Sequence, residues 1–204
     1  MLIAFAGLPS SGKSSTAKAL ARLMEVEVHL EPEESAWPDL VRERETSGAF
    51  TALSWFRTVR VPQLFKADAT RKTNKTAIID SYYDVLIARY LGDNAFEWLV
   101  SRQDPYFPAA RAMVDADWET LPKADVIVFL SLDEATWTEF MSRRDRDFDR
   151  NAELNKHFEM QEKMLQACKA AEQAHGSSLI VVNQASSTPE DTARRVAVAI
   201  GVEL

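Results

Sequence analysis

The chain has 204 residues, 46% hydrophobic and 27% charged, which suits one domain with a full core and excludes an intrinsically disordered chain. Its 24 Lys and Arg face 31 Asp and Glu, a net charge of −7, and this excludes a nucleic-acid polymer as the expected partner, since phosphate-backbone binding needs a basic face. Cys168 is the only cysteine and the three histidines are scattered, so neither an internal disulfide nor a Cys/His metal cluster is expected.

The first element is the apolar run Leu2 to Ala6, which reads as a buried strand ending in a glycine loop. The charge-free stretch 2–12 is broken by Pro9, lacks a basic leader and is too short to cross a bilayer. No membrane partner and a cytoplasmic location are therefore expected. From Ser14 to Met24, apolar residues recur at helical spacing. Val26 to Leu30 alternates and then meets Glu31-Pro32, a second strand with a hard stop. Ala77 to Asp80, Val126 to Leu130 and Leu179 to Val182 are three more buried strands. Helices are predicted over about 39–70, 83–101, 105–120, 133–143 and 151–175, with Gly176 placed to end the last of these. Thr188-Pro189-Glu190-Asp191 opens a final helix with an N-cap, a proline at the first turn and an acid at N3. Strands alternating with helices predict one α/β domain over residues 1–204, its parallel sheet of about five strands covered on both faces.

The most informative segment is Gly7-Leu8-Pro9-Ser10-Ser11-Gly12-Lys13-Ser14, which fits G-x-x-x-x-G-K-[ST] in full. It lies between an apolar strand and a helix, the context its chemistry needs. The glycines let backbone N–H groups curl round a phosphate while the helix N-terminus faces it. Gly7, Ser10, Ser11, Gly12, Lys13, Ser14 and Ser15 are thus candidates to bind ATP. Lys13 would reach the β/γ-phosphates and the Ser14 hydroxyl would ligate Mg²⁺. Neither the Asn-Lys-x-Asp base reader nor the Asp-x-x-Gly switch of a GTPase occurs. The chain also leaves little room for the added elements of a mechanical ATPase, so a small kinase is expected. Asp80, ending its strand, is a candidate second ligand for Mg²⁺.

With this loop placed, the chain resembles the thymidylate kinase and deoxynucleoside kinase group of P-loop kinases over nearly its whole length. Glu31-Pro32 is similar to the group's Glu-Pro, Trp37 to an aromatic wall of its acceptor pocket, and Ile78 to Asp84 to its strand-end segment. Arg143-Arg144-Asp145-Arg146 falls where the group carries an arginine-rich lid, here at about 142–152. The resemblance implies a three-layer P-loop kinase fold and transfer of the ATP γ-phosphoryl group to a hydroxyl of a nucleoside-like small molecule. It implies that Glu31 accepts the hydroxyl proton. Lys13, Asp80, Arg144 and Arg146 would serve the chemistry and Arg143 the ATP, while Trp37, Arg60, Tyr82 and Asp84 would join Glu31 around the acceptor. Group members are often dimers packed through helices, so a homodimer is a further expectation. Asn183 to Ser186 falls where the group's backbone touches the donor adenine.

Three positions depart from the group. Ser81 follows Asp80 where an arginine is expected, Leu30 precedes Glu31 where thymidylate kinases have an arginine, and Leu53 replaces a base-reading glutamine. The missing arginines disfavour a nucleoside monophosphate as acceptor unless Arg57 or Arg60 replaces them, and the leucine cannot make the base contact, which leaves an atypical nucleoside or another small hydroxyl compound as the acceptor. A regulatory module that binds ATP without catalysis is the rival of another class.

Overall fold

The computed structural model describes residues 1–96, 98–144, 158–184 and 187–202, the Arg144 side chain excepted. Five strands form one sheet: β1 (Leu2–Gly7), β2 (Glu27–His29), β3 (Ala77–Ile79), β4 (Val126–Ser131) and β5 (Ser178–Asn183). Their order is β2-β3-β1-β4-β5 and every neighbouring pair is parallel. β1 is central, with Ile3 opposite Ile78 on one side and Val126 on the other. Parallel strands buried on both faces need continuous apolar runs, and those runs are what made them visible in the sequence.

Alternation along each strand divides the core in two. Leu2, Ala4, Ala77, Ile79, Ile127 and Phe129 point to one hydrophobic cluster, while Ile3, Phe5, Ile78, Val126, Val128 and Leu130 point to the other. The second face is covered by α1 (Lys13–Met24) together with α9 (Pro189–Ala199). The first face receives the long α4 (Ala49–Lys72) and α8 (Met160–His175), with α6 (Phe107–Thr120) further out. The α9 cap forms as predicted: Asp191 N donates to Thr188 Oγ1 at 3.1 Å. Gly176 ends α8 in the left-handed conformation at φ 73°. No helix among the described residues is long and apolar enough to cross a membrane.

Two predicted helices are corrected. The stretch 39–70 is three helices, α2 (Asp39–Arg42), α3 (Arg44–Ser47) and α4, because Glu43 at φ −93°, ψ 38° and Gly48 at φ 86°, ψ 148° both leave the helical region. The stretch 83–101 holds only α5 (Tyr83–Leu86) and a 3₁₀ turn, Ile87–Arg89. The chain then bends at Gly92, φ 79°, where a Cβ would come within 2.6 Å of the Phe107 ring. The remaining helix, α7 (Glu134–Arg144), starts at a cap in which Thr136 N donates to Asp133 Oδ1 at 2.7 Å. The segment 151–157 of the predicted fifth helix lies outside the described residues.

Candidate active site

The parallel strands β1, β3 and β4 end on the same side of the sheet, the place where a parallel α/β sheet opens a crevice. The loop after β1 enters there. Gly7 has φ 139°, and a Cβ on it would stand 2.7 Å from Leu130 O, so only glycine lets the loop leave β1 so close to β4. Gly12, φ 83°, precedes the first residue of α1. Lys13 Nζ folds back over the loop, donating to Gly7 O at 3.1 Å and Leu8 O at 2.7 Å. An ammonium and a helix N-terminus thus face one hollow, a ready anion site.

The hollow is one end of a cleft of about 800 Å³. Ser14 reaches the Asp80 carboxylate with its hydroxyl, at the end of β3. Asp80 is 2% exposed. Burial first, and then the charge of Glu31, push its carboxyl up to about 6. Two oxygen ligands beside a phosphate hollow suit Mg²⁺, which keeps several waters and takes few protein ligands. Among the described residues no group of three His, Cys, Asp or Glu side chains could hold a metal by itself, so Ser14 and Asp80 fit a metal shared with phosphates.

Glu31, just past β2, is tied to β3 by its own amide, which donates to Asp80 Oδ1 at 2.9 Å. Its carboxylate accepts from Arg60 Nη1 at 2.9 Å and from the Ser81 hydroxyl. Burial pushes its pKa up, but the Arg60 charge and hydrogen bond, with Lys13 and Ser81, outweigh burial and hold it below the ordinary value. Arg60 comes from α4, buried at 8% exposure. The Phe56 and Tyr83 rings lie 5.0 and 4.5 Å from its guanidinium carbon. Trp37 lines the same end of the cleft, its indole donating to Pro32 O at 3.1 Å and its ring edge-on to Phe56.

The predicted residues are therefore distributed unevenly. Gly7, Ser10, Ser11, Gly12, Lys13, Ser14, Ser15, Glu31, Trp37, Arg60 and Asp80 all line one cleft. Arg143 joins them from α7, ion-paired with Glu139. Two acceptor residues are placed otherwise. Asp84 does not line the cleft but grips Arg60 from behind. Tyr82 touches the cleft wall, yet it is 1% exposed and its hydroxyl accepts from Ala124 N at 3.0 Å, so that hydroxyl serves the core. Arg57 also stays away from the cleft, held by Asp117 through Nε at 2.6 Å and Nη2 at 2.7 Å. The Arg144 side chain, Arg146, residues 145–152 of the lid, Ala185 and Ser186 lie outside the described residues.

Sequence reasoning missed several wall residues. Arg44 and Trp98 reach the acceptor end from α3 and from the loop after Gly92. Gln184 was not missed, since it belongs to the segment 183–186 that the resemblance sets at the donor adenine; it is 2% exposed, lines the cleft and packs its amide against Gly12. Trp137 ties α7 to the phosphate loop, its indole donating to Pro9 O at 2.9 Å. Arg44, Trp98 and Trp137 carry no local signal, because each arrives through tertiary packing.

No family model matches the chain, and no curated protein does. Solved structures do. The deoxyadenosine kinase of M. mycoides with bound dATP superposes with a TM-score of 0.73 at 16% identity, covering 98% of this chain and 99% of that one. The same enzyme with the products dCMP and a flexible dCDP gives 0.69 at 14% identity, covering 98% of both chains. With bound dCTP it gives 0.66 at 14% identity and the same coverage. Over nearly its whole length the chain has the three-layer α/β fold of a P-loop deoxynucleoside kinase.

Proposed function

We propose that the protein transfers the γ-phosphoryl group of ATP to a hydroxyl of a nucleoside, a deoxynucleoside being the first acceptor to test. The observation that carries this reading is the single cleft in which Lys13 and the N-terminus of α1 stand at one end, an aromatic pocket at the other, and Glu31 between them. The deoxyadenosine kinase fold, shared at 14–16% identity, supports the same class.

The γ-phosphate rests against the loop amides and Lys13, which neutralise charge as it spreads over the phosphate oxygens. Ser14 and Asp80 would hold Mg²⁺, which supplies further neutralisation of the β- and γ-phosphates. The acceptor hydroxyl lies against Glu31. Its oxygen forms the new bond to the γ-phosphorus, the bond to the β–γ bridging oxygen breaks, ADP leaves, and the Glu31 carboxylate takes the proton. A depressed pKa suits this part. In a loose transition state the proton is lost late and needs an ionised acceptor more than a strong base. Arg143, with Arg144 and Arg146, would close the donor end.

A nucleoside acceptor is favoured over a monophosphate by the engagement of Arg57 and Arg60, the two arginines the sequence offered for an acceptor phosphate, although Arg44 also lines that end. Arg57 is held by Asp117, and Arg60 by Asp84 and Glu31 together, so both candidates for an acceptor phosphate are already engaged by carboxylates. A nucleoside and deoxynucleoside panel with coupled ADP detection tests the reading. Turnover giving a nucleoside monophosphate is expected, with Glu31→Gln lowering kcat on the order of a hundredfold. ATP binding with no phosphorylated product from any acceptor would instead support the non-catalytic module.

A further inference from the structure

Asp84 is buried at 6% exposure and stays out of the cleft, yet it is bound to the residue that holds Glu31. Arg60 Nε donates to Asp84 Oδ2 at 2.8 Å and Nη2 to Asp84 Oδ1 at 3.3 Å, which leaves Nη1 to meet Glu31 Oε1 at 2.9 Å. A guanidinium is planar, so a carboxylate gripping one edge fixes the direction of the remaining nitrogen. Phe56 and Tyr83 confine the same group through their rings. Glu31 needs such support. It sits outside any regular element, before Pro32, with its side chain a third exposed. Stability alone does not explain the arrangement, since apolar residues of the same volume often replace a buried ion pair without loss.

We propose that Asp84 is a positioning residue that acts through Arg60 to aim the Glu31 carboxylate at the acceptor hydroxyl; this rests on the reading of Glu31 as the acceptor's base. Asp84 touches no reacting atom. Its carboxylate sets the plane of Arg60, and Arg60 sets the carboxylate of Glu31.

The test uses the full chain and the best nucleoside from the panel. Asp84→Asn keeps the shape but leaves one acceptor oxygen for two guanidinium donors. It should lower kcat roughly tenfold to a hundredfold, the effect of a small misplacement of a reacting group, with the KM for ATP unchanged. Arg60→Lys, which keeps the charge and loses the fork, should show the same kcat-selective loss and serves where D84N does not fold. Because Asp84 acts only through its partners, D84N should cost nothing further in the R60Q or E31Q background. A full-size D84N loss in either background, wild-type kcat in R60K, or a loss confined to thermal stability overturns the positioning role. E31Q as fast as wild type would overturn the base reading, and this proposal with it. An arm that needs no turnover is the ¹⁵N spectrum of the ligand-free protein. The Arg60 Nε–H signal should be protected in wild type, exchange fast in D84N and shift in E31Q. An Arg60 signal identical in wild type and D84N overturns the positioning unit whatever the fate of the base reading.

Discussion

Asp80 Oδ1 accepts the Glu31 amide hydrogen at 2.9 Å, which locks the loop after β2 to the end of β3. The two carboxylates therefore share one corner of the cleft while facing different neighbours. Asp80 faces Ser14 and the phosphate hollow, and Glu31 faces Arg60 and the aromatic pocket. Their pKa values are driven apart accordingly, Asp80 upward and Glu31 downward, which is a common mark of two carboxylates given two roles.

Asp80→Asn should separate metal handling from nucleotide binding. The variant keeps its hydrogen-bonding shape and loses a charged oxygen ligand. Its kcat is expected to fall on the order of a hundredfold, with the Mg²⁺ concentration for half-maximal rate shifted upward. Chelating Mg²⁺ should abolish transfer in wild type and its return should restore it. A Mg²⁺ titration of initial rates checks both, and an unchanged Mg²⁺ midpoint in D80N would remove Asp80 from the metal site.

The raised pKa of Asp80 has a consequence for stability. An unfolded aspartate loses its proton near ~3.9, whereas buried Asp80 holds it to about 6. Between those values the native state binds the extra proton, so stability falls as pH rises through the window and stays lowered above it. Glu31 has the opposite sign: its depressed pKa adds stability above the unfolded value, lost as pH falls through the folded one. D80N should therefore be more stable than wild type by about 3 kcal/mol near neutral pH and by well under about 1 kcal/mol near pH ~4. Thermal unfolding of both proteins at the two pH values measures it. Equal gains at both would show that ionisation is not the cause.

The fold was largely legible because parallel strands buried on both faces must be apolar throughout, and runs such as Val126 to Leu130 fit little else. The phosphate loop was legible because its spacing is dictated by backbone geometry that few residues satisfy. The acceptor end was not. Helical periodicity suggested a helix over 83–101, but the chain turns at Gly92 and brings Trp98 back to the cleft. Arg44 belongs to no motif and has charged neighbours on both sides, and it lines the cleft because α3 breaks from α4 at Gly48. Asp84 was expected at the acceptor and stands behind Arg60 instead, a placement that depends on α5 packing against α4.

Gly7→Ala should be worse than an ordinary glycine substitution. The added Cβ would sit 2.7 Å from Leu130 O, a backbone atom of β4, at a φ of 139° that side chains rarely adopt. The variant is expected to lose ~2 kcal/mol or more and to lose nucleotide binding, since the loop must shift away from β4. Gly48→Ala meets nothing within 4 Å and bears only the strain of its φ, so it should keep nucleotide affinity. Calorimetric binding of ATP and thermal unfolding compare the two, and equal loss of ATP affinity in both would contradict the close-approach argument.

Leu53 is expected to limit how finely the acceptor is chosen. It is 5% exposed and lines the cleft beside Ala49, Ala52, Phe56 and Trp98, so this wall offers a base shape and apolar contact without an amide. Apolar pockets separate close analogues by only about 10–200-fold, while sites built to hydrogen-bond a polar edge reject the wrong one by about 10⁴ or more. The spread of kcat/KM across purine and pyrimidine nucleosides should accordingly stay within the smaller range. Leu53→Gln places a donor and an acceptor on that wall and should widen the spread, chiefly by slowing bases whose edge cannot satisfy the buried amide. A wild-type preference near 10⁴ for a single base would show that another group reads it, and Arg44, the cation at the same end of the cleft, is then the residue to replace.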